Sequence, residues 1–272
     1  MIQGFETREN TDIPVRALVN SAGGKLYKRD GPSVDQYEKT HWPEWEEDYN
    51  NPIVVFGILR GTADLIKNAK AYEQDWYYFD HAYMFGNKHS PSKIFGERIY
   101  RLTRNWYHET GLRQLKKSDY ERIEKYRPHY ELKPWKYEGD YILVCPPSEH
   151  ITNYFKEPKW LEDTLKTLKK HTRKEIKVRT KQDTNPLQED IDGAYAVVSF
   201  QSAVCIDAII SGVPSFCGVV SMGNPVSEHD FSKIREPIYS VDRQGWINSL
   251  LAGQFTMTEI ENGTAWNYVN NT

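Results

Sequence analysis

Apolar residues come in short runs along this chain, separated by polar turns and by segments with helical spacing. Ala194 to Val198 is a run of small and β-branched side chains, the mark of a strand buried on both faces, and Ser199 to Ser202 ends it with small polar residues. A helix follows from Ser202, a good N-cap, through Val204, Asp207, Ala208 and Ser211, and Gly212 before Pro214 stops it. Pro214 to Val220 is the next expected strand. Upstream, Tyr141 to Val144 and Glu175 to Arg179 read as strands, and Trp160 to His171 reads as an amphipathic helix that buries Leu161, Leu165 and Leu168.

The first half alternates in the same way. A helix between Thr11 and Ala22, with Pro14 in its first turn and Gly23-Gly24 after it, leads to a strand at Lys25 to Arg29. Pro52 to Phe56 and Trp76 to Phe79 are strands around a helix at Ala63 to Ala71. Asp30 to Asn51 is expected to be a surface loop with one helical turn near Val34 to Tyr37. Downstream, Gly223 to His229 is a loop, Ser240 to Gly253 holds a helix, and the end after Met257 is a short helix that frays. Such alternation predicts an α/β protein of two doubly wound halves, residues 1–138 and 139–272, divided at Tyr137 to Asp140.

Composition narrows the setting. The chain has 272 residues, enough for one large or two small cores, and no apolar run long enough to cross a bilayer. Its first residues lack a signal-peptide layout, so a soluble, cytoplasmic protein is expected. Cys145, Cys205 and Cys217 fall in or beside buried segments without zinc-like spacing, which predicts reduced core thiols and no metal site.

Open α/β sheets bind ligands outside the carboxyl ends of their strands, so candidate chemistry sits in the turns named above. Ser199, Gln201 and Ser202 can donate to a phosphate at a helix start, and Asp207 carries a carboxylate suited to sugar hydroxyls. Ser202 acting only as a cap is the plain alternative. Arg179 and Lys181 follow a neighbouring strand end. In the first half, Gly57, Arg60, Gly61 and Thr62 form a strand-to-helix turn that is neither a Walker loop nor a dinucleotide fingerprint. Asp80 and His81 end the next strand, and either is a candidate proton acceptor, with Asp80 a supporting group if His81 is the base. Adjacent strand residues point to opposite faces, so the two cannot be assumed to touch. Glu228 and His229 lie in a loop on the same side.

From Lys88 to Lys136 the chain carries thirteen Lys and Arg against six Asp and Glu, although its formal total is −3. Aromatic residues are interleaved, which suits contact with nucleic acid through Arg101, Arg104, Trp106, Tyr107, Arg113, Lys116 and Lys117. A solvated, linker-like segment is the other reading.

The spacing Ser202, Asp207-Ala208, Gly212-x-Pro214 resembles an element in the C-terminal domain of GT-B-fold glycosyltransferases, in particular the capsule-polysaccharide and sialyltransferase-like groups. This resemblance implies two Rossmann-like halves facing across a cleft and a UDP- or CMP-linked nucleotide sugar used without a metal. It makes Ser199 and Ser202 phosphate ligands, Asp207 a ribose ligand, and Arg179 and Lys181 phosphate or base contacts. The implied activity is transfer of a sugar to an acceptor hydroxyl. Pro225 to Trp266 looks similar to phage-encoded proteins that glycosylate DNA, which suggests a hydroxymethylated pyrimidine such as 5-hydroxymethylcytosine in duplex phage DNA as acceptor. Surface-polysaccharide synthesis, and a nucleotide- or nucleic-acid-binding protein without catalysis, are the alternatives.

Overall fold

In a computed structural model that describes residues 1–30, 42–87 and 90–271, the chain begins β1 (Gln3–Glu6), α1 (Ile13–Ala22), β2 (Lys25–Lys28), β3 (Ile53–Phe56) and α2 (Thr62–Ala71). Next come β4 (Trp76–His81), β5 (Ile99–Arg104), α3 (Lys117–Ile123), β6 (Tyr141–Cys145), α4 (Glu149–Tyr154) and α5 (Trp160–His171). Then follow β7 (Glu175–Val178), α6 (Leu187–Asp192), β8 (Ala194–Ser199), α7 (Val204–Ile210) and β9 (Ser215–Cys217). The chain closes with α8 (Arg243–Ala252), β10 (Gln254–Thr256), α9 (Met257–Glu261) and α10 (Thr264–Asn270). These elements pack as two units, Met1–Tyr107 with Gly253–Thr272, and His108–Ala252.

The first unit holds a six-stranded sheet in the order β10-β5-β4-β3-β1-β2. Its strands β1 to β4 run parallel, while β5 and β10 are antiparallel additions at one side. Ile53, Val54 and Val55 of β3 are fully buried, as a central strand covered on both faces requires. Helix α1 lies close over β1 because Gly4 has no side chain there: a Cβ would come within 2.4 Å of Val19.

The C-terminal segment does not fray. Strand β10 pairs with β5, and Thr256 caps α9 reciprocally with Glu259, accepting from its N–H while the Glu259 carboxylate accepts from the Thr256 N–H at 2.9 Å. Glu97 then accepts from the Thr258 N–H and hydroxyl at 2.9 and 3.0 Å, which ties α9 to the unit. Phe255, Ala265 and Val269 are buried.

The second unit holds four parallel strands in the order β7-β6-β8-β9, the same winding as β2-β1-β3-β4 in the first. Alternate residues fill two core layers. Ile142, Val144, Ala196, Val198 and Phe216 pack with Trp160 and Leu168 on one face, and Leu143, Val197, Ile191, Ala208 and Val213 on the other. Residues 133–140 run along the amino ends of these strands, with the N–H groups of Lys133, Lys136 and Asp140 donating to Ile210, Gly212 and Gly193. Gly212 sits at φ +79°, and a Cβ there would lie 2.0 Å from the Pro134 carbonyl oxygen. The Gly-x-Pro stop is thus required by close packing as well as by backbone conformation.

The expected division at residues 138/139 therefore falls within the second unit. The packing boundary at 107/108 splits the basic segment, giving β5 to the first sheet and α3 to the second unit. Strand β9 is shorter than the expected Pro214 to Val220, since Val219 is 62% exposed. Strand β1 and strand β5 escaped the sequence reading, and Val34 to Tyr37 and Lys88 lie outside the described residues.

Candidate functional site

Strand β6 is flanked by β7 on one side and β8 on the other, so the chain winds away in both directions from the gap between β6 and β8. At the carboxyl ends of such neighbouring strands the loops diverge and leave room for a ligand. Cys145 stands opposite Ser199 in register, and Ser199 opposite Cys217, so the loops after β6, β8 and β9 leave the sheet side by side.

The β8 loop carries four of the expected donor residues. Ser199 is fully buried, and among the described residues its Oγ has no hydrogen-bond partner. Gln201 Oε1 accepts from His108 Nε2 at 3.2 Å, which assigns that ring proton to Nε2. Ser202 is exposed, and α7 begins two residues after it with Ser202 Oγ only 3.4 Å from the Val204 N–H. It ends the loop rather than capping the helix closely. Asp207, in the first turn of α7, makes no ion pair or side-chain hydrogen bond among the described residues. Loss of hydration at this position raises its carboxyl to about 6.

Two neighbouring loops add groups to this edge. His229 Nδ1 donates to the Cys217 carbonyl at 2.8 Å, which leaves Nε2 as the ring atom able to bond a ligand. Glu228 is occupied otherwise: its Oε1 accepts from the N–H groups of His229 and Asp230 at 2.9 and 3.0 Å, and the Asp230 bond is the main reason its carboxyl is lowered. After β6, Ser148 Oγ lies 3.1 Å from His150 Nδ1. Burial and then the charge of exposed Lys181 lower the His150 ring, so it is neutral near pH 7. His108, Ser148 and His150 have no sequence signal, because each joins the edge only through a loop that the topology brings there.

Arg179 does not point its charge at a ligand. Its guanidinium donates to Asp190, to Asn185 Oδ1 at 3.0 Å and to the Asn185 carbonyl at 2.6 Å, while Lys177 also binds Asp190. Burial works against the Asp190 charge, but Lys177, Asn185 and Arg179 together hold its carboxyl down to about 2. Arg179 is therefore a brace between β7 and α6, a correction to its expected role as a phosphate contact.

No family model matches this chain, and no curated protein matches it. Among solved structures it is similar to the KpsC beta Kdo 2,7 transferase of Thermosulfurimonas dismutans, at 12% identity and a TM-score of 0.52, over 99% of each chain. A KpsC beta Kdo 2,4 transferase of the same organism aligns at 8% identity and a TM-score of 0.46, over 92% of this chain and 89% of that one. The protein has a two-domain GT-B-like fold.

In this GT-B-like fold the first unit presents its own strand ends. The turn after β3 places Gly57 at φ +66°, Arg60 at +59° and Gly61 at +85°. It is closed from within, because the buried Thr62 hydroxyl is shared between the carbonyls of Gly57 and Leu59 at 2.9 and 2.7 Å. Thr62 is thus buried inside the turn and does not cap α2 with its side chain. His81 is half-buried at the end of β4, with its ring edge-on to Phe56 at 5.5 Å.

Asp80 is bound elsewhere. Its Oδ2 accepts from Arg101 Nη2 at 2.6 Å and from the Tyr78 hydroxyl at 3.2 Å, and its Oδ1 accepts from the His81 N–H at 2.7 Å. Arg101 is only 7% exposed; burial opposes its charge, and Asp80 restores it. Asp80 is thus held in an ion pair, and Arg101 is buried in the sheet rather than on the surface expected of a nucleic-acid contact.

The other basic and aromatic residues are also spread between the units. Tyr107 is buried against Trp76 and Tyr78 and accepts from Lys70 at 2.8 Å, so it is core. Arg104 pairs with Asp75 at 2.6 Å, and Arg113 pairs with Glu109. Trp106, Lys116 and Lys117 are exposed, and Lys117 lies 3.6 Å from Glu121. The three cysteines are buried thiols, and burial pushes Cys145 and Cys217 up to about 11, where they are unreactive at neutral pH. Among the described residues no helix is long and apolar enough to cross a membrane.

Proposed function

We propose that this protein transfers a sugar from a nucleotide-sugar donor to a hydroxyl group of a growing surface polysaccharide. The observation that carries this reading is the edge after β8, where an unpartnered buried Ser199 Oγ and an unpartnered Asp207 carboxylate flank Gln201 and Ser202 in a GT-B-like fold. In the proposed arrangement Ser199 and Ser202 donate to the donor phosphates, Lys181 adds positive charge, and Asp207 accepts from ribose hydroxyls. Fixed donors of this kind stabilise negative charge that grows on the leaving nucleotide. His81, at the strand end of the first unit, is the proposed base for the acceptor hydroxyl, since Asp80 is held by Arg101.

A glycan acceptor is preferred to DNA for two reasons. Two of the seven residues expected to touch nucleic acid, Arg101 and Tyr107, are buried. A solved structure aligned over 99% of this chain is, by its name, a Kdo transferase.

The test is to incubate the full chain with CMP- and UDP-linked sugars, offering oligosaccharides in one arm and hydroxymethylcytosine DNA in another, and to weigh the products by mass spectrometry. A sugar added to an oligosaccharide supports the proposal. Addition to DNA alone overturns the acceptor, and absence of both transfer and calorimetric nucleotide binding overturns the enzyme reading.

A further inference from the structure

At the amino ends of the second sheet, opposite the edge described above, lies a groove of about 400 Å³ lined by Thr172, Arg173, Lys174, Tyr195 and Arg235. Its position follows from the strands: Lys174 immediately precedes β7, and Tyr195 is the second residue of β8. Lys174 is fixed, with Nζ donating to the Gly139 carbonyl at 2.6 Å and lying 4.8 Å over the Tyr195 ring. The Tyr195 hydroxyl donates to the Arg235 carbonyl at 3.4 Å, which fastens the loop that carries Arg235.

Arg173 and Arg235 are the unusual members. Both are exposed, and among the described residues neither guanidinium has an acidic or hydrogen-bonding partner. Arg16, Arg101, Arg104, Arg113, Arg127 and Arg179 are all paired with carboxylates. A guanidinium offers a flat fork of N–H groups that fits a carboxylate or phosphate with two parallel bonds. The groove therefore has two unfilled anion forks and a fixed ammonium between them in sequence and close in space.

Aromatic residues continue along the same edge. Tyr239 packs against Tyr137 at 4.7 Å and Trp135 at 5.6 Å, and Tyr137 is 67% exposed. Burial, and then the nearby Tyr195 and Tyr137, raise the Tyr239 hydroxyl, and burial raises that of Tyr195, so these two phenols stay protonated donors at neutral pH. Ring faces are not all available: Lys174 covers one face of Tyr195, and Arg243 lies 4.0 Å over Trp135. Nucleobases need open ring faces to stack. Ring edges and phenolic hydroxyls beside two guanidinium forks suit sugar hydroxyls and carboxylates better.

We infer that this groove and its aromatic border form a second binding site, for an oligosaccharide that carries carboxylates. Arg173 and Arg235 each hold a carboxylate, and Tyr195, Tyr239 and Tyr137 contact the sugar units between and beyond them. The site lies at the opposite end of the strands from the proposed donor residues, so it holds a glycan without touching the reacting atoms.

Calorimetry with hexagalacturonate and no nucleotide tests this directly, with maltohexaose, hexametaphosphate and duplex DNA as comparison probes. Hexagalacturonate binds, and Arg173→Ala and Arg235→Ala each weaken it about tenfold, the loss expected when a charge-assisted bond is removed. Arg173→Lys keeps the charge and recovers only part of the loss, because the fork is gone. The inference is overturned if hexagalacturonate does not bind, or if the double alanine variant, melting as the parent does, binds it unchanged. It is equally overturned if maltohexaose, hexametaphosphate or DNA binds as tightly. Nucleotide affinity, measured on the same variants, stays at the parent value, so a failure here is distinct from a failure of the transferase reading.

Discussion

Replacing Asp207 with asparagine separates a ligand-binding carboxylate from a structural one. The carboxyl is raised to about 6 against an ordinary value near 4, and among the described residues no partner compensates its charge. A raised folded-state value means that ionising Asp207 works against folding as pH climbs from about 4 to 6. Asp207→Asn removes that cost, so the variant should melt at or above the parent temperature at pH 7. If the carboxylate accepts from ribose hydroxyls, the same change should weaken binding. A hydrogen bond to a charged group contributes about 1.5 to 3 kcal/mol, which is roughly 10- to 150-fold in affinity.

Protonation gives a second signature of the same role. The parent should bind CMP more tightly as pH rises through about 6 and level off above 7, because only the ionised form accepts both ribose hydroxyls. The variant should keep only the pH dependence that ionisation of the nucleotide phosphate contributes, and should no longer distinguish CMP from dCMP. Isothermal titration of both proteins with CMP, UDP and dCMP across that range is the assay. Equal affinity in parent and variant, with an equal preference for the ribonucleotide, would refute the ribose role.

Other expectations follow from single contacts. Gly212→Ala forces a side chain into left-handed backbone and against the Pro134 carbonyl, and should cost about 2 to 4 kcal/mol in urea unfolding. Asp190→Asn should flatten acid unfolding: with its folded-state value at about 2, Asp190 stabilises the parent above pH 4, and that share is lost as pH falls toward 2. His81→Ala should lower turnover about a hundredfold or more with nucleotide affinity unchanged, whereas normal turnover would make the histidine structural. Asp80→Ala should instead destabilise the fold by about 3 to 5 kcal/mol, because it leaves Arg101 buried without a counter-charge.

By itself the sequence determined the local elements and the candidate edge of chemistry. The strands at 141–145, 175–178 and 194–199 are short apolar runs because both faces are covered, and that condition is written in consecutive residues. The turn after β8, with Ser199, Gln201, Ser202 and Asp207, was legible for the same reason: strand end, loop and helix start are contiguous. Tertiary structure alone decided which charges are available. Arg179 and Lys181 look equivalent along the chain, yet Arg179 is bound to Asp190, eleven residues away, and Lys181 is exposed. Asp80 looks like the natural support for His81, yet antiparallel pairing sets it opposite Arg101 of β5. The last twenty residues look like a frayed tail, but they gain a sheet edge only when β5, more than 150 residues earlier, is already in place. Each of these outcomes depends on partners brought close by folding, so no window of sequence around the residue contains it.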